Sequence, residues 1–237
     1  MKHFCKVLGT MFVMMLAAQA QGQLVWVGGV STDMFDVANW DLSATAVTTL
    51  APNVSVSDNV LIGPGPFANN PIIPELDAQQ RFQLDDGYSF TLDGATLGVA
   101  GNDGVGGATD TTNGPTVNVI NGAQFNSFFV VNDVKVKIDG TSTATFGGGG
   151  NPINLSTVDI APGGTLAFIN EDPAAFRAEH LSKTFVLGSP GVEGVNLNII
   201  SDGAVGSIIT VVPEPSSITL AFAAGAALLS CRRRRVM

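Results

Sequence analysis

Val134-Lys135-Val136-Lys137-Ile138-Asp139-Gly140-Thr141 is the stretch that decides the fold. Its period of two puts the valines and Ile138 on one face of a strand, and Lys135 and Lys137 on the other. Asp139-Gly140 then supplies the positive φ of a tight turn. The same pattern surrounds it. Thr116-Val117-Asn118-Val119-Ile120 alternates and runs into Asn121-Gly122-Ala123-Gln124-Phe125. Leu92-Asp93-Gly94-Ala95-Thr96-Leu97 precedes it, and Ile160-Ala161-Pro162-Gly163-Gly164-Thr165-Leu166 and Ile200-Ser201-Asp202-Gly203-Ala204-Val205 follow. From Gly94 the glycines step by 28, 18, 24 and 39 residues, uneven intervals that leave room for insertions between similar turns. Strands at repeated spacing predict an all-β chain, a right-handed parallel β-solenoid (β-helix) with apolar residues stacked inside each rung. The alternative is a β-sandwich, because the same turns close hairpins. Parallel or antiparallel neighbours distinguish the two.

Composition agrees with an all-β chain. Of 237 residues only 13% are charged, too few for a helical bundle or coiled coil, while 45% are apolar, too many for a disordered acidic chain. The bases gather at the ends. Residues 21–212 hold five basic against nineteen acidic side chains, a net of −14. Such a body repels nucleic acid, and no nucleic-acid partner is expected. Both cysteines, Cys5 and Cys231, are terminal, so the body has no intramolecular disulfide, thiolate nucleophile or cysteine zinc site.

The two ends read as addresses. Lys2 and Lys6, the mostly apolar run Val7 to Ala18 and the Ala18-Gln19-Ala20 site make residues 1–20 a secretory signal peptide. At the other end Val212-Pro213-Glu214-Pro215-Ser216-Ser217 leads into an apolar stretch from Ile218 to Cys231, then Arg232, Arg233, Arg234 and Arg235. Fourteen apolar residues make a helix of about 21 Å. A hydrocarbon core is about 30 Å thick. The stretch therefore spans as a transmembrane helix only with help from Ser216, Ser217 and snorkelling arginines. The arginines favour the cytoplasmic side, and the signal peptide places the body outside.

Pro213-Glu214-Pro215, the apolar helix and the terminal arginines resemble the PEP-CTERM sorting domain of Gram-negative bacteria, over about the last 25 residues. The resemblance implies an exosortase as partner, cutting near Pro213 to Pro215. It implies retention by Arg232 to Arg235, a transient inner-membrane anchor, and association with exopolysaccharide or biofilm matrix at the cell surface. Three segments are thus expected: 1–20, an extracytoplasmic body 21–212, and the sorting signal 213–237.

The body opens Trp26-Val27-Gly28-Gly29, then Phe35-Asp36-Val37-Ala38-Asn39-Trp40, Pro52 and Ser57-Asp58-Asn59-Val60-Leu61-Ile62. Residues 24–62 are similar to the opening segment of secreted bacterial β-helix proteins, including autotransporter-like passengers. That similarity implies that Trp26 and Trp40 cap the open end of the stack, with stacking on a sugar as the alternative.

Asp172-Pro173 through Lys183 reads as one short helix inserted between rungs, with Asp172 as cap and Pro173 in the first turn. His180, the only histidine of the body, is then a surface residue of that helix, and a histidine zinc site needs more ligands than one histidine and no cysteine provide. No G-x-S-x-G elbow is present. Asp85-Asp86 and Glu171-Asp172 read as a turn and a helix start, not as paired glycosidase carboxylates. A polysaccharide lyase would have to draw its base from Lys135, Lys137 or Arg177. Gly101 to Asp110 and Gly147 to Gly150 read as loops, the first with a faint likeness to calcium-binding glycine repeats. The expectation is a non-catalytic structural protein without metal or cofactor; the alternatives are a carbohydrate-binding adhesin and a polysaccharide lyase.

Overall fold

The computed structural model describes residues 22–76, 79–109 and 113–212. Their strands form sheets of nine, seven and five strands. From Ser55 the chain visits the sheets in a fixed order. Ser55–Val56 lies in the five-stranded sheet, Asn59–Ile62 in the nine-stranded and Ile72–Ile73 in the seven-stranded. Arg81–Leu84, Ser89–Asp93 and Thr96–Val99 repeat the circuit, as do Gly104–Gly107, Thr116–Ile120 and Gln124–Ser127. Val130–Val131, Lys135–Ile138 and Thr143–Phe146 follow, then Ile153–Asn154, Thr157–Ile160 and Thr165–Phe168.

Each of these strands pairs in parallel with its equivalent one circuit on. Antiparallel pairs occur only toward the two ends: Gln23–Trp26 with Trp40–Ala44, Thr184–Val186 with Ser189–Pro190, and Ser207–Val211 with Thr165–Phe168 and Leu197–Ser201. A sandwich of hairpins requires antiparallel neighbours through its centre, and here they are parallel. The body is all-β with parallel sheets, consistent with a solenoid-like class. No helix among the described residues is long and apolar enough to cross a membrane. The expected signal peptide and the expected transmembrane helix lie outside the described residues.

Register turns the alternation into a core. Leu24, Val60, Phe90, Val117, Val136 and Val158 stand in one line across the nine-stranded sheet, all buried. Ile62, Leu92, Val119, Ile138, Ile160 and Val186 make a second line. Phe125, Phe146 and Phe168 stack inside the seven-stranded sheet, with centroids 6.1 and 5.5 Å apart. Lys137 lies on the solvent side between Asn118 and Asp159.

The recurring turn motifs share one corner, between the nine- and seven-stranded sheets. Asn121 Nδ2 donates to Asp93 Oδ1 at 2.7 Å, and the Asn121 backbone N–H to Asp139 Oδ2 at 2.6 Å, so three successive corners are tied together. Asn121 holds φ 58°, a left-handed conformation that asparagine tolerates. The fifth copy differs: Asp202-Gly203 closes the antiparallel hairpin between Leu197–Ser201 and Ser207–Val211.

One expected loop is a strand. Gly104–Gly107 is buried in the five-stranded sheet, where a Cβ on Gly104 would meet Phe129 O at 2.2 Å and one on Gly107 would meet Asn132 O at 2.2 Å. Glycine is there for close backbone approach. Asp103 just before it is buried and accepts from Leu76 N and Gln80 N, at 3.0 and 2.6 Å.

Candidate functional site

The residues expected to act in sorting, Pro213, Glu214 and Pro215, and the arginines expected to act in retention, Arg232 to Arg235, lie outside the described residues. Trp26 and Trp40 sit together at the start of the core, ring centroids 5.0 Å apart, edge to face. Trp26 Nε1 donates to Asn69 O and Trp40 Nε1 to Met34 O, at 3.0 and 2.9 Å. At 1% and 5% exposure neither ring offers a face to solvent, which a sugar platform requires. Their burial favours packing over sugar stacking. Between them Asn39, wholly buried, accepts from Val30 N and Ser31 N and donates to Asp33 O. It organises the entry loop, a role the sequence reading did not assign.

The residues weighed for catalysis are dispersed. Arg177 grips Glu193 with two hydrogen bonds, Nε to Oε2 at 2.7 Å and one terminal nitrogen to Oε1 at 2.6 Å. Asp85 accepts from Ser57 Oγ, and Asp86 from Thr109 Oγ1. Lys135 and Lys137 lie along the outer face of the nine-stranded sheet.

The concentrated chemistry is at the other end of the core. After Phe168, where the circuit would return to the five-stranded sheet, the chain forms the helix Pro173–Glu179 and a 3-10 turn, Leu181–Lys183. Asp172 caps the helix as expected, accepting from Ala174 N and Ala175 N at 2.8 Å each. Phe176 and His180, four residues apart on one helical face, point into the core. The Phe176 ring meets Phe168 at 5.2 Å, and the His180 ring stacks on Phe168 at 5.0 Å with an 11° tilt. His180 is wholly buried, which corrects its reading as a surface histidine: Phe168 draws the imidazole inward, and Glu171 meets its edge.

Glu171 Oε2 lies 2.7 Å from His180 Nε2, with side chains 3% and 0% exposed. The contact is close but not aligned as a hydrogen bond, so both Glu171 oxygens and both ring nitrogens are short of a well-formed partner. Burial pushes Glu171 up to about 7, helped by the Glu179 charge and opposed by Lys183. Burial likewise pushes His180 down to about 4, helped by Lys183 and opposed by the Gly150 backbone. A buried pair in this state shares one proton and carries no net charge.

Glu179, exposed at the helix end, completes the cluster. One ligand atom each from Glu171, Glu179 and His180 lie within 4.8 Å of one another. Lys183 Nζ donates to Asn151 Oδ1 and Ile153 O, at 2.6 and 2.8 Å, and its charge faces both carboxylates. The cluster can hold a proton or a cation. It was missed in the sequence because its three members are brought together from both ends of one helix; the i, i+4 pair of Phe176 and His180 was the available signal.

Asn151 also lines a neighbouring groove of about 330 Å³ over the five-stranded sheet, together with Gln79, Arg81, Phe128 and Asn154. Within it Arg81 Nε donates to Gln83 Oε1 at 2.8 Å. No family model matches this chain, and no curated protein and no solved structure matches it either.

Proposed function

We propose that this chain is an exported structural protein of a Gram-negative envelope or extracellular matrix, sorted by an exosortase and associated with exopolysaccharide. The observation that carries this reading is the sequence of the tail, Pro213-Glu214-Pro215, then the apolar run Ile218 to Cys231, then Arg232 to Arg235, on a chain whose first twenty residues read as a signal peptide. Two prolines flanking Glu214 disfavour a helix at that point of the sequence, which suits an enzyme that grips extended backbone. The body suits a scaffold, since its lines of buried Val, Ile and Phe stack from circuit to circuit without a disulfide. We infer further that the body winds right-handed, because crossovers between parallel strands of one sheet take that hand almost without exception.

Intact mass and location test the sorting. In a host that carries an exosortase, the mature protein should end near Pro213 to Pro215 and lie outside the cell. In the matched deletion strain, and for Glu214→Ala, the full tail should persist in the membrane. Normal processing of Glu214→Ala would sink the reading.

A second reading, a carbohydrate-binding adhesin, draws on the groove. Arg81, Gln79, Asn151 and Asn154 supply polar groups and Phe128 an apolar face, the mixture that sugar recognition uses. A glycan screen separates the two readings: binding that is lost in Arg81→Ala and Phe128→Ala supports the adhesin, and no binding to any glycan leaves the scaffold.

A further inference from the structure

We propose that Glu171, Glu179 and His180 form a zinc site that clamps the helix Pro173–Glu179 onto the end of the core. The inference is independent of the sorting tail.

Three observations converge on it. First, the donor set is mixed. One imidazole and two carboxylates suit zinc, whereas calcium and magnesium take oxygen alone. Second, the spacing is close to what zinc requires. Bonds of about 2.0–2.2 Å in a tetrahedron put ligand atoms about 3.4 Å apart. The three atoms lie within 4.8 Å of one another, and the Glu171–His180 contact is 2.7 Å. That pair has to open slightly, and the exposed Glu179 carboxylate has to swing inward, which its position at the helix end permits. Third, the two interior donors are unsatisfied. His180 and the Glu171 side chain are more than nine-tenths buried, and none of their four polar atoms has a well-aligned hydrogen bond, their mutual 2.7 Å contact and the Gly150 backbone facing His180 being only partial partners. Buried groups in that condition are costly unless something pairs with them. A divalent ion fills the vacancy of bonding for both at once.

Charge balance is consistent. Zinc would displace the proton held by the Glu171–His180 pair, leaving two carboxylates and a neutral imidazole to match the ion's two positive charges. Lys183 adds a positive charge nearby and opposes binding, but its ammonium is engaged by Asn151 and by the Ile153 carbonyl and is not aimed at the cluster alone. With three protein ligands, the fourth position of a tetrahedron would be left to a water. The clamp would join Glu171, before the helix, to Glu179 and His180 at its end, so the ion ties the cap shut around Phe176.

The test titrates zinc chloride into the metal-stripped full-length protein by calorimetry, with thermal unfolding in parallel. One zinc per chain at micromolar concentration and a rise in Tm are expected. Glu179→Gln changes an exposed side chain and should fold normally by circular dichroism. It should weaken binding at least about tenfold and abolish the Tm rise. Glu75→Gln, an exposed carboxylate outside the cluster, should change neither. His180→Gln reports on the buried donor, and Glu179→Gln keeps the test decisive if that variant does not fold. Wild-type affinity retained in Glu179→Gln, or no zinc binding by the wild type below millimolar, overturns the proposal. Binding through His3, Cys5 or Cys231 would survive Glu179→Gln and so counts against it.

Discussion

Phe146 is the centre of the aromatic stack, and Phe146→Ala is the most informative single perturbation of the fold. The side chain is wholly buried between Phe125, 6.1 Å away at 78°, and Phe168, 5.5 Å away at 37°. Its strand is paired on both sides, with Gln124–Ser127 and Thr165–Phe168, so the backbone cannot collapse into the space left by the ring. A Phe→Ala change of this kind costs about 3–5 kcal/mol, and the fixed ladder places it in the upper half of that range. That is a large share of the ~5–15 kcal/mol that usually holds a domain together. Urea unfolding followed by circular dichroism reads the loss as a fall in midpoint. A double-mutant cycle localises it. Phe146 with Phe168 should couple by about 0.5–1.5 kcal/mol, the worth of a ring pair beyond its burial. Phe146 with Leu24, about four strand spacings or ~19 Å along the stack, should be additive to within about 0.5 kcal/mol. A cost under about 1.5 kcal/mol for Phe146→Ala, or equal coupling to Leu24 and Phe168, would refute nearest-neighbour stacking as the basis of this body.

Three further outcomes follow from named contacts. Asn121→Ala should cost about 1–3 kcal/mol, since it loses the bond to Asp93 and places alanine at φ 58°. Asn121→Gly loses only the bond and should cost less; the reverse order in urea unfolding would contradict the corner geometry. Asp139 sits at about 2, below its ordinary 3.8: burial works to raise it, but hydrogen bonds from Ser142, Asn121 and Thr141 outweigh that. Its stabilisation is present above 3.8 and is lost as pH falls toward 2, so wild type should lose stability relative to Asp139→Asn across that window, and parallel pH profiles would refute it. Asp172→Ala should cost about 1 kcal/mol by removing the cap on Ala174 and Ala175. No change in Tm would mean that the helix is held by Phe176 alone.

What was legible in the sequence was local. Val136 and Ile138 alternate with Lys135 and Lys137, and the strand buries them as the alternation requires. Asp93-Gly94 and Asn121-Gly122 specify tight corners with a positive φ, and they form them; Asp139-Gly140 also turns, with Ser142 N donating to Asp139 O, but without the positive φ expected of it. Asp172-Pro173 announces the helix start. What was not legible depended on distant partners. Asp202-Gly203 has the same turn chemistry as the corners, yet it closes a hairpin, because a turn fixes the local reversal and not the strand that will be met. Gly104 to Gly107 looked like a loop because their reason is steric, the Phe129 and Asn132 carbonyls arriving from the next circuit. His180 looked exposed because its neighbour Glu179 is; the ring that buries it, Phe168, belongs to another strand.

The ends of the stack explain why the polar cluster stands where it does. Repetition of one circuit leaves open edges, and an open edge templates pairing with another chain. Here the edges are mostly short or broken. The nine-stranded sheet ends in Ser189–Pro190, whose proline has no N–H to offer. The five-stranded sheet ends in the two-residue strands Ser55–Val56 and Ile153–Asn154. Lys183 takes the Ile153 carbonyl, so the segment that carries His180 and Glu171 also occupies the place of the next strand. Two edge strands, Trp40–Ala44 and Leu197–Ser201, are five residues long; the second keeps an exposed Ile200, and the helix Pro173–Glu179 packs beside it. Covering the end of an apolar core with a polar helix brings backbone and side-chain polar groups against Phe168, and some of them are buried in the process. The Glu171–His180 pair is the consequence: it lies beside a helix that is not part of the repeat, where the regular lines of Val and Ile have run out. Stability at that end therefore depends on what satisfies two side chains, whereas stability in the middle is distributed over every circuit.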